Sequence, residues 1–151
     1  MKVLFIIGIV ALLIACNKDD FQTKPSLKVK SYSTKVVPLN GTFTFTLTCT
    51  DKEGDVQDSL TIIKVRQNQT VVSTIRDTIR YKMPTFPNTD KVEVQGTLTY
   101  QEILSAITPP NIPGSSPPQK QPDTLLLKFA VRDVAGHASD TIVGDQIIVI
   151  R

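Results

Sequence analysis

Apolar and polar residues alternate along most of this chain, and the alternation has a period of two. It is strictest over Gly41 to Thr50. Phe43, Phe45, Leu47 and Cys49 fall on one side, and Thr42, Thr44, Thr46, Thr48 and Thr50 on the other. Successive side chains of a strand point to opposite faces, so this run predicts a strand with one face in a core and one toward solvent or a polar neighbour. Leu60 to Val65 is a second strand, and Val71 to Tyr81 a third, with Val71, Ile75, Ile79 and Tyr81 sharing a face. Val92, Val94, Leu98 and Tyr100 mark a fourth, in which Gly96 signals a bulge or close packing. Thr124 to Arg132 alternates Leu125, Leu127, Phe129 and Val131 against Lys128 and Arg132. Asp140 to Ile150 is the last, with a bulge expected at Gly144-Asp145.

Upstream, Ser26 to Val37 begins with Leu27 and Val29 alternating against Lys28 and Lys30, and Pro38 interrupts it. A central strand does not tolerate proline, which predicts an edge strand that kinks or switches sheets. Turn signals separate the strands: Asn40-Gly41, the loop Asp51 to Asp58, Gln67-Asn68-Gln69, the connection Met83 to Asn88, and Asp133 to Ala138. Helical spacing is short everywhere, and only Glu102 to Ile107 is expected to form a single turn. Thr108 to Pro122 holds six of the ten prolines and is expected to be a mobile loop, because too little chain follows for a second core. Seven strands in one domain, residues 26–151, predict an all-β, antiparallel two-sheet sandwich of immunoglobulin-like shape. A closed barrel is the alternative and needs more even strand lengths.

The first fifteen residues follow another rule. After Lys2, Val3 to Ala15 is thirteen residues without a charge. A membrane-spanning helix needs about 20, so residues 1–15 read as a signal peptide. The tetrad Leu13-Ile14-Ala15-Cys16 resembles the lipobox of bacterial lipoproteins. That resemblance implies cleavage before Cys16, a diacylglyceryl group on its sulfur and an acylated amino terminus, hence a membrane as partner. Two or more acyl chains give stable anchoring where one does not. Cys16-Asn17-Lys18-Asp19-Asp20 resembles the surface-export signal of Bacteroidota lipoproteins, in which a basic residue and an acidic pair (here Lys18, Asp19 and Asp20) follow the lipidated cysteine. The implied location is the outer face of the outer membrane; a solvated linker is the alternative. Residues 16–25 then form a tether, whose last nine residues reach about 30 Å when extended.

Composition narrows the partners. The chain carries +3 formally, and losing Lys2 with the leader leaves 3 − 1 = +2, too little to imply nucleic acid. With Cys16 lipidated, Cys49 has no disulfide partner and reads as a small buried hydrophobe. Two stretches, Phe45 to Asp55 and Phe129 to Ser139, resemble the strand-plus-acidic-loop and the last hairpin of immunoglobulin-like and cadherin-like domains in bacterial surface proteins. The inter-sheet disulfide, the buried Trp and a Tyr in Leu125–Val131, which mark antibody-type domains, are missing from the sequence.

In a sandwich of this topology the loops after the strands Gly41–Thr50 and Thr124–Arg132 meet at one pole. That brings Asp51, Glu53, Asp55 and Asp58 toward Asp133, a set of oxygen donors suited to calcium; the alternative is that they only build turns. The spacing is not that of an EF-hand. His137, the single histidine, has Asp133 and Ser139 near it in sequence but no motif that makes a triad. Cys49 and His137 are too few for a closed zinc site. The threonine face and the proline loop are candidate contact surfaces, and the absence of Trp weighs against a sugar-stacking platform. The expectation is a non-enzymatic binding or structural module of the cell envelope, meeting another envelope protein or a polymer. The alternative is an accessory subunit of an envelope enzyme or of a polysaccharide-uptake or assembly complex. No cofactor is implied beyond calcium.

Overall fold

The computed structural model describes residues 24–68, 76–105 and 108–151. The leader, Cys16, the export residues Lys18, Asp19 and Asp20, and the apolar positions Val71 and Ile75 lie outside the described residues. Among the described residues eight strands and one helical turn follow in order: β1 (Ser26–Tyr32), β2 (Val36–Val37), β3 (Phe43–Thr50), β4 (Ser59–Arg66), β5 (Arg76–Lys82), β6 (Lys91–Leu98), α1 (Tyr100–Ile103), β7 (Asp123–Arg132) and β8 (Ile142–Val149). They build two sheets, β1-β3-β6 and β2-β8-β7-β4-β5. The fold is all-β, a two-sheet sandwich in which every pairing is antiparallel except β2 with β8.

The period-two pattern dictates the core. Phe43, Phe45, Leu47 and Cys49 of β3 are buried, and they face Leu60 and Ile62 of β4, Leu125, Leu127, Phe129 and Val131 of β7, and Ile147 and Val149 of β8. Phe45 and Phe129 meet across the two sheets with ring centroids 5.0 Å apart. Each such side chain contributes about 1.5–3 kcal/mol on burial, and Cys49 among them is a free thiol. The threonine side of β3 is half-buried, and Thr44 and Thr97 bond through their hydroxyls at 3.0 Å.

The strand expected over Ser26–Val37 is two strands. β1 belongs to the three-stranded sheet and β2 to the five-stranded one, so the chain switches sheets at 33–35, before Pro38. Pro38 then falls in the turn beyond β2, where its carbonyl accepts the Gly41 N–H at 2.9 Å and Asn40 takes a φ of 59°. Pro25, expected in the tether, is buried, and Lys24 pairs with Asp140, so the sandwich starts just before Ser26. The helical turn begins at Tyr100, earlier than expected, because Thr99 caps it. Thr99 accepts the Glu102 N–H, and the Glu102 carboxylate accepts the Thr99 N–H at 2.8 Å.

One of the two glycine positions singled out in the sequence is an irregularity. β8 gains one residue against β7 between the pairs Leu126↔Gln146 and Lys128↔Val143, which is the bulge at Gly144-Asp145. Gly96 produces no bulge, and β6 stays in unbroken register with β3; the residue serves close packing instead. The proline loop is more ordered than expected. Asn111 bridges Lys120, Ile112 N–H donates to the Gln119 carbonyl at 2.7 Å, and Gln121 N–H to the Pro110 carbonyl at 3.0 Å, so backbone bonds zip it into a hairpin.

Candidate functional site at the acidic pole

β3 and β7 both carry their core-facing parity one step past the last apolar residue. Asp51 follows Cys49 and Asp133 follows Val131 on the same side. That step puts two carboxylates at the mouth of the sandwich, Asp51 5% and Asp133 1% exposed. The β3–β4 loop then folds back over them. Gly54, at φ +72°, makes the reversal, and a β-carbon there would sit 2.7 Å from the Thr89 backbone nitrogen. Gly54 N–H bonds the Asp51 carbonyl at 3.2 Å, and Asp55 N–H bonds Asp51 Oδ2 at 3.2 Å. The Asp55 carbonyl accepts the Val134 N–H at 3.0 Å, which ties this loop to the β7–β8 turn.

Asp51, Asp55 and Asp133 thereby converge, each offering an oxygen within 4.8 Å of the others. Asp133 also belongs to a second group with Glu53 and His137. Its Oδ1 accepts the His137 N–H at 2.7 Å, and its Oδ2 lies 3.0 Å from His137 Nδ1. Asp51 Oδ1 and Asp55 Oδ1 are buried without a hydrogen-bond partner. Burial, the hydrogen bond with Asp51, and the charges of Asp133, Asp51 and Glu53 push the Asp55 carboxyl above its usual range. The pole thus gathers oxygen donors whose burial and like charges favour a proton on Asp55, shared with Asp51, unless a cation takes its place.

Four of the five expected acids meet here. Asp58 does not join them. Its N–H and carbonyl are spent on the Arg132 carbonyl and the Met83 N–H, its Oδ2 accepts the Ser59 hydroxyl at 3.0 Å, and it lines an open groove of about 690 Å³ with Thr61, Arg80, Lys82 and Arg132. The remaining candidates are placed apart. The Cys49 thiol is in the core, pushed up to about 12 by burial, which leaves it without thiolate character. The Ser139 hydroxyl donates to the Asp140 carbonyl at 2.9 Å and accepts the Val131 N–H at 3.0 Å, a structural use.

The opposite pole holds charges that the strand reading passed over. Lys64 and Arg66 continue the core-facing parity of Leu60 and Ile62, and Asp123 precedes Leu125 in the same way. All three are buried. Asp123 Oδ1 lies 3.3 Å from Arg66 Nη2, and its Oδ2 lies 2.7 Å from Arg151 Nη2. Lys64 Nζ donates to the carbonyls of Glu102 and Leu104 at 2.6 and 2.7 Å. Burial lowers the Lys64 pKa and the nearby Asp77 carboxylate opposes that shift. The signal in the sequence was the parity itself, two cations in phase with the core.

Neither a protein family nor a curated protein matches the chain. Among solved structures, a β-glucosidase from Listeria innocua in complex with gluconolactone is similar at a TM-score of 0.44 and 11% identity, over 85% of this chain. The same enzyme in complex with glucose gives 0.39 and 14%. The chain spans 16% of the length of either, and a likeness at that level carries no argument about activity.

Proposed function

We propose that this chain is a lipid-anchored lipoprotein of the bacterial outer membrane, and that its sandwich is a non-catalytic binding module which presents one pole to a partner. The lipid and the location rest on the sequence of residues 1–20. The geometry adds the direction. Lys24 pairs with Asp140 and Ser26 pairs with Thr50, so the chain enters the sandwich at the acidic pole. With Lys24 and Pro25 part of the sandwich, a tether of about 23 Å from Cys16 would keep that pole toward the lipid. The opposite pole would then face outward. It carries the turn with exposed Leu39, the β8 end with exposed Ile150, and the root of the proline hairpin, whose Ile112 is also exposed.

Among the described residues, three exposed large apolar side chains at this pole, against Val134 alone at the acidic pole, are the observation that supports the reading. Exposed apolar side chains on loops held by a rigid scaffold favour contact with a protein or polymer. A photo-crosslinking residue at Ile112 should capture an envelope component on intact cells, while one at Thr61 in the groove should not. The reverse pattern would reject the outward pole. Cys16→Ala should release the protein from the membrane fraction, and external protease should remove the sandwich from whole cells. Retention of the variant, or full protection from protease, would reject the anchor or the surface location respectively.

A further inference from the structure

We infer that the acidic pole binds one calcium ion, held by the carboxylates of Asp51, Asp55 and Asp133. This goes beyond the envelope reading and stands or falls separately from it. The three side chains come from different parts of the fold: the end of β3 in one sheet, the end of β7 in the other, and the loop between β3 and β4. Their oxygens lie within 4.8 Å of one another. Oxygens bound to a single Ca²⁺ at about 2.4 Å can be no further apart than about 4.8 Å, so the spacing meets the condition for sharing one ion, with side-chain adjustment drawing the oxygens in to bonding distance.

The observation that asks for a ligand is Asp51. The side chain is only 5% exposed, and its Oδ1 has no hydrogen-bond partner; Asp55 Oδ1 is buried and unpartnered beside it. A buried carboxylate oxygen left without a donor is costly, and a cation removes that cost. Asp133 is compatible with ligation although both its oxygens accept a bond from His137, because each oxygen keeps a second lone pair. Glu53, which shares Asp133 and is exposed, can complete the shell from the solvent side together with water.

The donor set selects the ion. Hard oxygens on a loop suit Ca²⁺, which accepts irregular geometry, better than Mg²⁺, which demands an octahedron and keeps its waters. Zinc and copper prefer nitrogen and sulfur, and the pole offers a single imidazole. The bound ion would fasten the two sheets together at the pole where the chain enters.

The full chain, purified in detergent and stripped with a chelator, would be titrated with CaCl₂, and separately with MgCl₂ and ZnCl₂, by calorimetry and thermal melting. One calcium per chain is expected, with Kd on the order of 10⁻³ M or tighter. The melting midpoint should rise by about 5 °C at about 10 mM calcium. Asp51→Asn should weaken calcium binding at least about tenfold, yet melt at or above the wild-type temperature in chelator, since it removes an uncompensated charge and keeps an oxygen for the Asp55 N–H. Asp58→Asn, outside the cluster, should retain the full response. Should Asp133→Asn fail to fold, Asp55→Asn in the loop makes the same test. No heat and no shift at 10 mM calcium would overturn the inference. So would an unaltered calcium response in Asp51→Asn, or preferential zinc uptake that His137→Gln abolishes.

Discussion

The ring of Phe45 lies over Gly96, the residue directly opposite it in the β3–β6 pairing. A β-carbon at Gly96 would sit 2.2 Å from Phe45 Cζ and 2.8 Å from each Cε. The ring is 1% exposed and packs against Phe43 and Phe129, and it borders a cavity of about 200 Å³, so relieving the clash means shifting the ring out of its contacts. Gly96→Ala should therefore destabilise the sandwich by about 1–3 kcal/mol, as overpacking of a filled core does. The entropy gained by removing a glycine from the unfolded chain, roughly 0.4–1 kcal/mol, offsets only part of it. Urea denaturation followed by circular dichroism measures the loss. Phe45→Leu in the Gly96→Ala background should recover part of it, and strict additivity of the two changes would show that ring and glycine do not compete for one space.

Gly144 is a second such position, because a β-carbon there would lie within bonding range of the Tyr32 hydroxyl. That hydroxyl is buried without a well-formed hydrogen bond; burial first, then the Asp145 charge, raises its pKa from 10.0 to about 12, and the Asp145 backbone opposes the shift. A folded-state pKa above the unfolded value means that stability is fully present below pH 10 and is lost as pH rises toward 12. Tyr32→Phe should be neutral to about 1 kcal/mol stabilising near pH 8, since it deletes an unsatisfied hydroxyl. It should also flatten the alkaline decline between pH 10 and 12. Tyr81, likewise raised to about 12, keeps part of that slope. A Tyr32→Phe variant that loses more than 1 kcal/mol at pH 8 would show that the hydroxyl has a bonded role.

These two glycines show how far the sequence could be read. The alternation of β3 and β7 announced both core faces, and a glycine inside such a run announced a special position. Whether Gly96 meant a bulge or a close ring depended on the rotamer of Phe45, a tertiary matter. The acidic pole was legible for the same reason as the strands: Asp51 and Asp133 extend a period-two run by one step. Asp58 was misplaced because its own backbone N–H and carbonyl bond Arg132 and Met83, and no local pattern records those partners. The hairpin in Thr108 to Pro122 was missed because proline content reports missing donors, while the bonds that close the hairpin come from Ile112 and Gln121.

Glu102 sets a prediction at acid pH. Its carboxyl is held below the usual range by the Thr99 N–H first, then by the Thr99 hydroxyl and the Tyr81 hydroxyl. A depressed folded-state pKa contributes stability that is present above the unfolded value near 4.5 and lost as pH falls through the folded value. Glu102→Gln should cost about 0.5–1 kcal/mol at pH 7, a weakened capping box. The difference from wild type should shrink in melts run toward pH 3. A constant difference across pH 3–7 would remove the carboxylate from the explanation.

The two poles answer the same problem in opposite ways, and one pair of variants separates them. Asp123, fully buried, is matched by Arg66 and Arg151 from within the chain. Asp51 Oδ1 and Asp123 Oδ1 are both buried without a hydrogen-bond donor, but a guanidinium stands 3.3 Å from the Asp123 oxygen as its counter-charge. Asp123→Asn removes the counter-charge of a buried guanidinium and should cost about 3–5 kcal/mol, as breaking one partner of a buried pair does. That loss should be the same in chelator and in calcium, because the compensating charge is part of the chain. Asp51→Asn should be near neutral or stabilising in chelator and destabilising relative to wild type in calcium. Melting both variants in both buffers gives the comparison. If Asp123→Asn were calcium-sensitive, or Asp51→Asn costly in chelator, the division between an internally neutralised pole and a cation-dependent one would be wrong.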